Sequence, residues 1–570
     1  MCLTIMAIVF NIVVTMYITQ TASPSKSGRP YVCTLLRESF REGGVVKNRT
    51  IANLSHCKAE EVAALRLALA HKGDLAELGS IQESVRLQEG LSVGAVWTVY
   101  SVAKRLGIEK ALGTEREGKL ALWQVMARVI DQGSRLSSVR LAQTHAACDV
   151  LALSRGFDEN DLYDNLGWLE EHQSQIELKL FRMRQREKEK KTELFLYDVT
   201  SSYFEGVCNE LSDWGYNRDG KKGKKQVVVG LLCDEAGEPV SVEVFHGNTS
   251  DLKTFARQIA KVAGRFGCPR VTMVGDRGMI KSAQIEQLKE MEDFYYITAL
   301  TKPQIEGLIH GGVVQLSWFD EEICEVESDG VRYVLRRNPR RVEHLKRSRQ
   351  DKCASVSRLL GKKNSYLAQH PRAKLEVAQR EVAAKIVQLK LDRWLKVQTA
   401  GRELRLQEDG QALTEASRLD GCYVVKSDLP KQYADAQTVH DRYKDLALVE
   451  QVFRTSKTVH LEMRPWYVRI ERNTRGHALV VMLAYLTVRY LRQAWADLDL
   501  TVEEGLAQLT TLCATQMVVK GKVRCNQVPV PRDLSQKLLR AADIHLPEAL
   551  PHLGAFVVTR RKLPERRVNR

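Results

Sequence analysis

The hydrophobic pattern divides the chain into regions of different period. Between residues 58 and 180 apolar positions recur every three to four residues. KAEEVAALRLALAHKG, VWTVYSVAKRLG and GKLALWQVMARVIDQG each predict an amphipathic helix closed by glycine. Ahead of them, PYVCTLLRESF and VVKNRTIANL flank REGG, which predicts a hairpin over residues 30–54 turning at Gly43-Gly44. A plain helical bundle and a helical DNA-binding region fit 58–180 equally well, because periodicity alone does not distinguish them.

From residue 192 the period shortens to that of strands. TELFLYDVT (192–200), QVVVGLLCDE (226–235) and PVSVEVFHG (239–247) are joined by turn-rich segments and predict an antiparallel meander. A helix over 250–267 follows, capped by Ser250 or Asp251. RVTMVGD (270–276) is then a buried strand, KSAQIEQLKEM a helix and FYYITAL (294–300) another strand. Residues 301–420 break this order. Their start is β-like (VVQLSWF, EEICEVES, RYVLRR) and their middle is basic and helical, which predicts an insertion.

GCYVVKSD (421–428) resumes the strand pattern. The stretch YKDLALVEQVFRTSK (443–457) has neither Gly nor Pro, so it predicts one helix. On such a helix Tyr443, Glu450, Arg454 and Lys457 share a face. One carboxylate among cations and a phenol suits a metal ion held beside a phosphate; the plainer reading is a solvated face of ion pairs. Residues 472–497 predict a long apolar helix whose run Ala478–Val488 is too short to cross a bilayer. The expected organisation is a leading segment over 1–15 and a hairpin-plus-helical region over 16–190. A catalytic core follows over 191–300 and 421–497, split by an insertion over 301–420, with a mixed region over 498–570.

Composition narrows the function. At 570 residues the chain exceeds a single core. Lys and Arg number 86 against 70 Asp and Glu, a net charge of +16, which favours nucleic acid before membrane as the partner. Basic stretches at 179–191, 219–225 and 340–350 and the tail 558–570 are candidate phosphate contacts. The 219–225 loop, DGKKGKK, lacks the order of a phosphate-binding P-loop. Twelve cysteines show no C-x-x-C pair and no zinc spacing, the usage of a reduced cytosolic protein rather than a disulfide scaffold. The leader MCLTIMAIVFNIVVT is short for a membrane span and lacks the basic start of a signal peptide, so Met16 is expected to be the true start. A native peptide beginning at Met1 or Cys2 would refute that.

Asp198 closes the first predicted strand and Asp276 the fourth. If those strands are neighbours, both carboxylates emerge at one sheet edge, and Glu450 can join them from a helix packed on the sheet. Three carboxylates crowd unless cations intervene. Oxygen-only ligands with phosphate nearby point to Mg2+ or Mn2+, and a pair of such ions suits in-line phosphoryl transfer.

The segments YDVTSSYFEG (197–206), VVVGLLCDEAGEPVSVEVFHGNTSDLKTF (227–255), VGDRGMI (274–280) and YKDLALVEQVFRTSK (443–457) resemble the DDE transposases of bacterial insertion sequences, in the cut-and-paste group with the Y-x2-R-x3-E-x6-K signature. The resemblance implies a mixed α/β fold with a ribonuclease-H-like catalytic core of the retroviral-integrase superfamily, interrupted by a large insertion. Carried over by position, Asp198, Asp276 and Glu450 are the catalytic, metal-binding carboxylates for two Mg2+ or Mn2+ ions. Tyr443 and Lys457 match the signature's DNA-positioning Tyr and Lys. The signature Arg falls at Leu446, and Arg454, one turn beyond Glu450, is the candidate to supply its charge. Arg277, inside D-R-G, either contacts phosphate or pairs with a carboxylate.

The implied activity is cleavage at terminal inverted repeats and strand transfer. Its partners are double-stranded transposon-end and target DNA, bound by a homodimer without membrane contact in the bacterial cytoplasm, at the nucleoid. Trp318, and more weakly Trp466, are candidates to hold an unstacked base during hairpin formation; the alternative is a core tryptophan. Two other functions stay open from the residues alone: a metal-dependent nuclease without strand transfer, and an inactive transposase-derived DNA-binding protein.

Overall fold

The computed structural model describes residues 15–23, 31–70, 85–189, 191–206, 208–268, 270–457, 461–464, 466–519 and 522–561. The leader up to residue 14 and the end of the basic tail, 562–570, lie outside them. Two compact units divide the chain. One comprises 1–90, 514–529 and 547–552; the other comprises 91–513, 530–546 and 553–570.

In the first unit β1 (Thr15–Ser23), β2 (Tyr31–Glu42) and β3 (Val45–Asn53) form an antiparallel sheet in that order. The expected hairpin is its β2–β3 half. Gly43 and Gly44 turn it at φ of 62° and 80°, a region glycine enters without penalty. Helix α1 (Ala59–Ala70) follows. Strand β4 (Val85–Ser92), inside the stretch expected to be helical, joins a second sheet with the C-terminal strands Cys513–Val519, Lys522–Gln527 and Ala549–Leu550.

The second unit opens with helices, among them α2 (Gly94–Arg105), α3 (Arg116–Ile130) and α4 (Glu159–Glu187). A reciprocal cap starts α4: Asp158 accepts from the amides of Asn160 and Asp161, and Asp161 accepts from the amide of Asp158 at 3.0 Å. Then come β5 (Leu194–Tyr203), β6 (Gln226–Asp234), β7 (Pro239–Phe245), α5 (Asp251–Lys261), β8 (Val271–Gly275), α6 (Ser282–Lys289) and β9 (Phe294–Ala299). The inserted stretch supplies α7 (Lys302–His310), β10 (Cys324–Ser328), β11 (Val331–Arg337), α8 (Pro339–Gln369), α9 (Leu375–Gln388) and a small hairpin, β12 (Leu395–Ala400) and β13 (Glu403–Glu408). Strand β14 (Cys422–Ser427) returns to the main sheet. After it come α10 (Ala436–Lys444), α11 (Leu446–Lys457) and α12 (Glu471–Ala494).

Eight strands form that sheet in the order β10-β11-β14-β9-β8-β5-β6-β7. Strands β5, β8 and β9 run parallel, and every other pairing is antiparallel. Alternation along β5 decides which side chains reach which layer. Phe195, Tyr197 and Val199 enter a core with Phe255 and Ile259 of α5 and Ile285 and Leu288 of α6. Truncating a buried aromatic such as Phe195 costs about 3–5 kcal/mol. Leu196, Asp198 and Thr200 therefore face the opposite side, against which α11 packs. Helix α12 buries Ala478–Val488 completely. Among the described residues no helix is long and apolar enough to cross a membrane.

Three local expectations change. Strand β5 runs on to Tyr203, so Asp198 lies in mid-strand rather than at its end. VVQLSWF is not a strand. Gly312, at a φ of 73°, turns the chain after α7, and Leu316–Trp318 is a single 3-10 turn. Val314 and Phe319 plug this segment into a cluster with Ile305 and Leu335, and Trp318 packs half-buried at its margin. Lastly, the helix expected across Tyr443–Lys457 is two helices, broken at Asp445.

Candidate active site

Parallel pairing aligns Leu196 with Val274 and Tyr197 with Gly275. The next step along each strand sets Asp198 level with Asp276, which follows β8 directly. Helix α11 lies across β5 and β6 on the Asp198 face and carries Glu450, exposed, on its second turn. Asp198 is half-buried and accepts the amide of Val199 at 2.8 Å. Burial pushes its carboxyl up to about 7; the charges of Asp276 and Glu450 add to the rise, and nearby Arg218 opposes it. The three carboxylates thus share one electrostatic neighbourhood. Among the described residues, though, no three His, Cys, Asp or Glu side chains are gathered closely enough to hold an ion.

Tyr443 sits on α10, which packs against β8 and β9. Its hydroxyl donates to Asp276 Oδ1 at 3.2 Å. Burial, then the Asp276 charge, hold the phenol well above its ordinary range. The break at Asp445 lets α10 reach the end of β8 while α11 crosses β5. Tyr443 and Glu450 meet the same site from separate helices rather than from one face of one helix. Arg277 and Arg454 are exposed, and Leu446 begins α11.

Lys457 is engaged internally. Its ammonium donates to Thr200 Oγ1 at 2.6 Å, to the Ser201 carbonyl and to Asp219 Oδ1 at 2.9 Å. Burial holds its pKa below the usual lysine range despite the Asp219 charge. Asp219 also takes Arg464 and the Tyr203 amide. This group pins the 204–225 connection to the sheet beside Asp198. Arg218, next in line, donates twice to Asp251 at 2.8 Å. Reading the sequence missed Asp219. Its place before Gly220 marks a turn residue, and nothing local signals a partner in α11. Trp466 is fully buried, edge-on to His477, which makes it a core residue and not a base platform.

A family model described as the transposase DDE domain matches residues 189–487, more than half of the chain. The chain belongs to the DDE transposases, enzymes that act on DNA. A second model, the N-terminal domain of IS1634 family transposases, matches residues 18–84, and with it the protein is a transposase of a bacterial insertion sequence. No curated protein matches the chain in sequence. Among solved structures, a piggyBac transposase synaptic complex with hairpin DNA is similar over 78% of this chain and 75% of its own, with 9% identity and a TM-score of 0.33. That likeness is too slight to carry an argument.

Proposed function

We propose that this transposase binds the terminal inverted repeats of its element and cuts and joins DNA at one centre formed by Asp198, Asp276 and Glu450. The observation that carries the reading is electrostatic. Asp198 is raised first by burial and then by the charges of Asp276 and Glu450, a crowding that divalent cations relieve. Strand order supports a ribonuclease-H-like core: an antiparallel β7-β6-β5 meander is continued by parallel β8 and β9. In this reading the core is 191–300 with 421–497, the insertion is 301–420, and 16–190 and 498–570 contribute outside it.

The donor chemistry, carboxylate oxygens with exposed cations nearby, suits Mg2+ or Mn2+, and the three carboxylates would have to draw closer together to hold two such ions. Such a pair, when bound, activates the attacking oxygen and stabilises the leaving one. The chain's own residues do the positioning. Tyr443 orients Asp276 through its hydroxyl, and Arg218 offsets charge beside Asp198. Arg277 and Arg454 meet backbone phosphates, and Lys457 holds the connection that carries Arg218.

Water attacks a phosphodiester at the element's end, leaving a 3′-hydroxyl and a 5′-phosphate. That hydroxyl then attacks a target phosphodiester, forming one P–O bond as another breaks. Two ends are paired by a homodimer, in the cytoplasm at the nucleoid. Asp198→Ala and Glu450→Ala should each abolish cleavage of an end duplex in Mg2+ or Mn2+ while a gel shift still shows end binding. Cleavage surviving either change overturns the assignment. Joined molecules from the wild type would separate strand transfer from simple nuclease action.

A further inference from the structure

The β2–β3 hairpin has two unlike faces. Residues paired across two strands point to the same side, so the register sorts the side chains. On one side Arg37 faces Thr50, Ser39 faces Asn48 and Arg41 faces Val46; on the other Glu38 faces Arg49, Phe40 faces Lys47 and Glu42 faces Val45. The contacts agree with this division. Arg37 Nε donates to Thr50 Oγ1 at 3.5 Å, and the Ser39 hydroxyl donates to Asn48 Oδ1 at 2.5 Å. On the opposite side Lys47 pairs with Glu42 at 2.8 Å, Arg49 pairs with Glu38, and the Arg49 guanidinium lies 5.6 Å from the Phe40 ring centroid.

Charge is therefore divided unequally. The second face balances its cations with carboxylates. The first holds Arg37 and Arg41 and, among the described residues, no Asp or Glu. Arg41, Asn48 and Thr50 are exposed and Val46 is 56% exposed, while Arg37 and Ser39 are half-buried. Nothing crowds the tip, since a Cβ on Gly43 or Gly44 would meet no atom within 4 Å. Strand β1 pairs with β2 only as far as Ser39, so among the described residues the hairpin beyond that point is two strands wide.

Unbalanced cations on an open face fit a polyanion, and the shape and the other side chains select which. Paired strands lie about 4.8 Å apart, and the major groove of B-DNA, about 12 Å wide, admits such a ribbon. Alternate residues on one face are about 6.6 Å apart, close to two base-pair rises of about 3.4 Å. Arginine grips guanine O6 and N7 with two N–H groups, asparagine grips adenine N6 and N7, and an apolar side chain meets the thymine methyl. Asn48 keeps its Nδ2 donors and a second lone pair on Oδ1 for a base edge. We propose that the β2–β3 ribbon lies in the major groove of the terminal repeat, where Arg37, Arg41 and Asn48 read base edges and Val46 lies against a thymine methyl. The inference rests on the reading above that this transposase binds its terminal repeats, and assigns the residues that tell them from other DNA.

The test uses the full chain and its Arg37→Ala/Arg41→Ala, Arg37→Lys/Arg41→Lys and Lys47→Ala variants. It measures affinity for an end duplex and for a shuffled duplex of the same composition at one salt concentration, with circular dichroism to check folding. The Ala pair should lose about 10-fold or more in affinity for the end duplex, and less for the shuffled one. The Lys pair keeps the charge without the planar fork, so it should bind the shuffled duplex as the wild type does and lose the preference for ends. Lys47→Ala, on the opposite face, should leave that preference unchanged. If the wild type prefers ends and both arginine pairs keep the preference, the ribbon is overturned and the end-binding reading stands. Equal losses on the two duplexes would make the arginines phosphate contacts and overturn base reading. A wild type with no preference for ends overturns both.

Discussion

Asp219→Ala separates an anchoring role for Lys457 from a DNA-contacting one. The Asp219 side chain is 2% exposed and that of Lys457 9%, so the pair is withdrawn from water. Removing one partner of a buried pair leaves the other charge uncompensated, at about 3–5 kcal/mol. Two features reduce that figure. Lys457 keeps Thr200 Oγ1 and the Ser201 carbonyl as acceptors, and it can shed its proton, because burial already holds its pKa low. Arg464, the other cation on Asp219, is 31% exposed and turns to solvent cheaply. The Tyr203 amide also loses its acceptor. We expect a net loss of about 2–4 kcal/mol, localised at the 204–225 connection. The assay is urea unfolding combined with limited trypsin digestion, since Lys221, Lys222, Lys224 and Lys225 lie in the freed segment. Asp219→Ala should unfold at lower urea and be cut there early. Pairing Asp219→Asn with Lys457→Met in a double-mutant cycle should recover much of the loss. Stability within about 0.5 kcal/mol of wild type, with an unchanged tryptic pattern, would refute the anchor and return Lys457 to a phosphate-binding role.

Tyr443→Phe deletes one long hydrogen bond to Asp276, worth about 0.5–1.5 kcal/mol. Cleavage of bound ends should slow by about two- to tenfold with end affinity unchanged; a loss confined to affinity would make Tyr443 a DNA contact instead. Asp428 accepts the Tyr296 amide at 2.9 Å, and burial pushes its carboxyl from 3.8 to about 6. A raised acid pKa means that the folded state binds the proton more tightly, so stability falls as pH rises through about 4 to 6. Asp428→Asn should therefore stabilise the chain by about 3 kcal/mol at pH 8 and have little effect at pH 4; equal gains at both would refute the burial argument. End binding should weaken by about three orders of magnitude between 50 and 200 mM salt, and a flat dependence in a filter-binding titration would count against phosphate-led recognition.

The core was readable because its elements announce themselves locally. Strand β6 is a continuous buried run, β7 nearly so and β8 a short one, and Asp198 and Asp276 interrupt or follow strands. Strand β5 runs past its expected end at Asp198 to Tyr203, yet its parallel pairing with β8 still sets Asp198 level with Asp276. What escaped depends on partners far along the chain. Nothing in KDLALV signals a break, yet α10 must reach β8 while α11 must lie across β5, and the two directions cannot belong to one straight helix. Strand β4 finds its sheet partner among residues near 515, beyond any local cue. VVQLSWF alternates like a strand but is closed into a turn by Gly312 and by the burial of Val314 and Phe319.

The 204–225 connection shows where charge counting fails. Its lysines made it a phosphate-binding candidate as a whole, but its side chains divide between two jobs. Asp219 turns inward to a lysine 238 positions away and takes Arg464 with it. Arg218 is spent on Asp251 and on the field around Asp198. The lysines point outward, and one of them, Lys224, pairs with Glu205 at 2.9 Å. Composition makes this segment a candidate to meet an anion. Which residues hold the segment and which are held out by it depends on distances across the fold, because an inward aspartate and an outward lysine look alike in a list of charges.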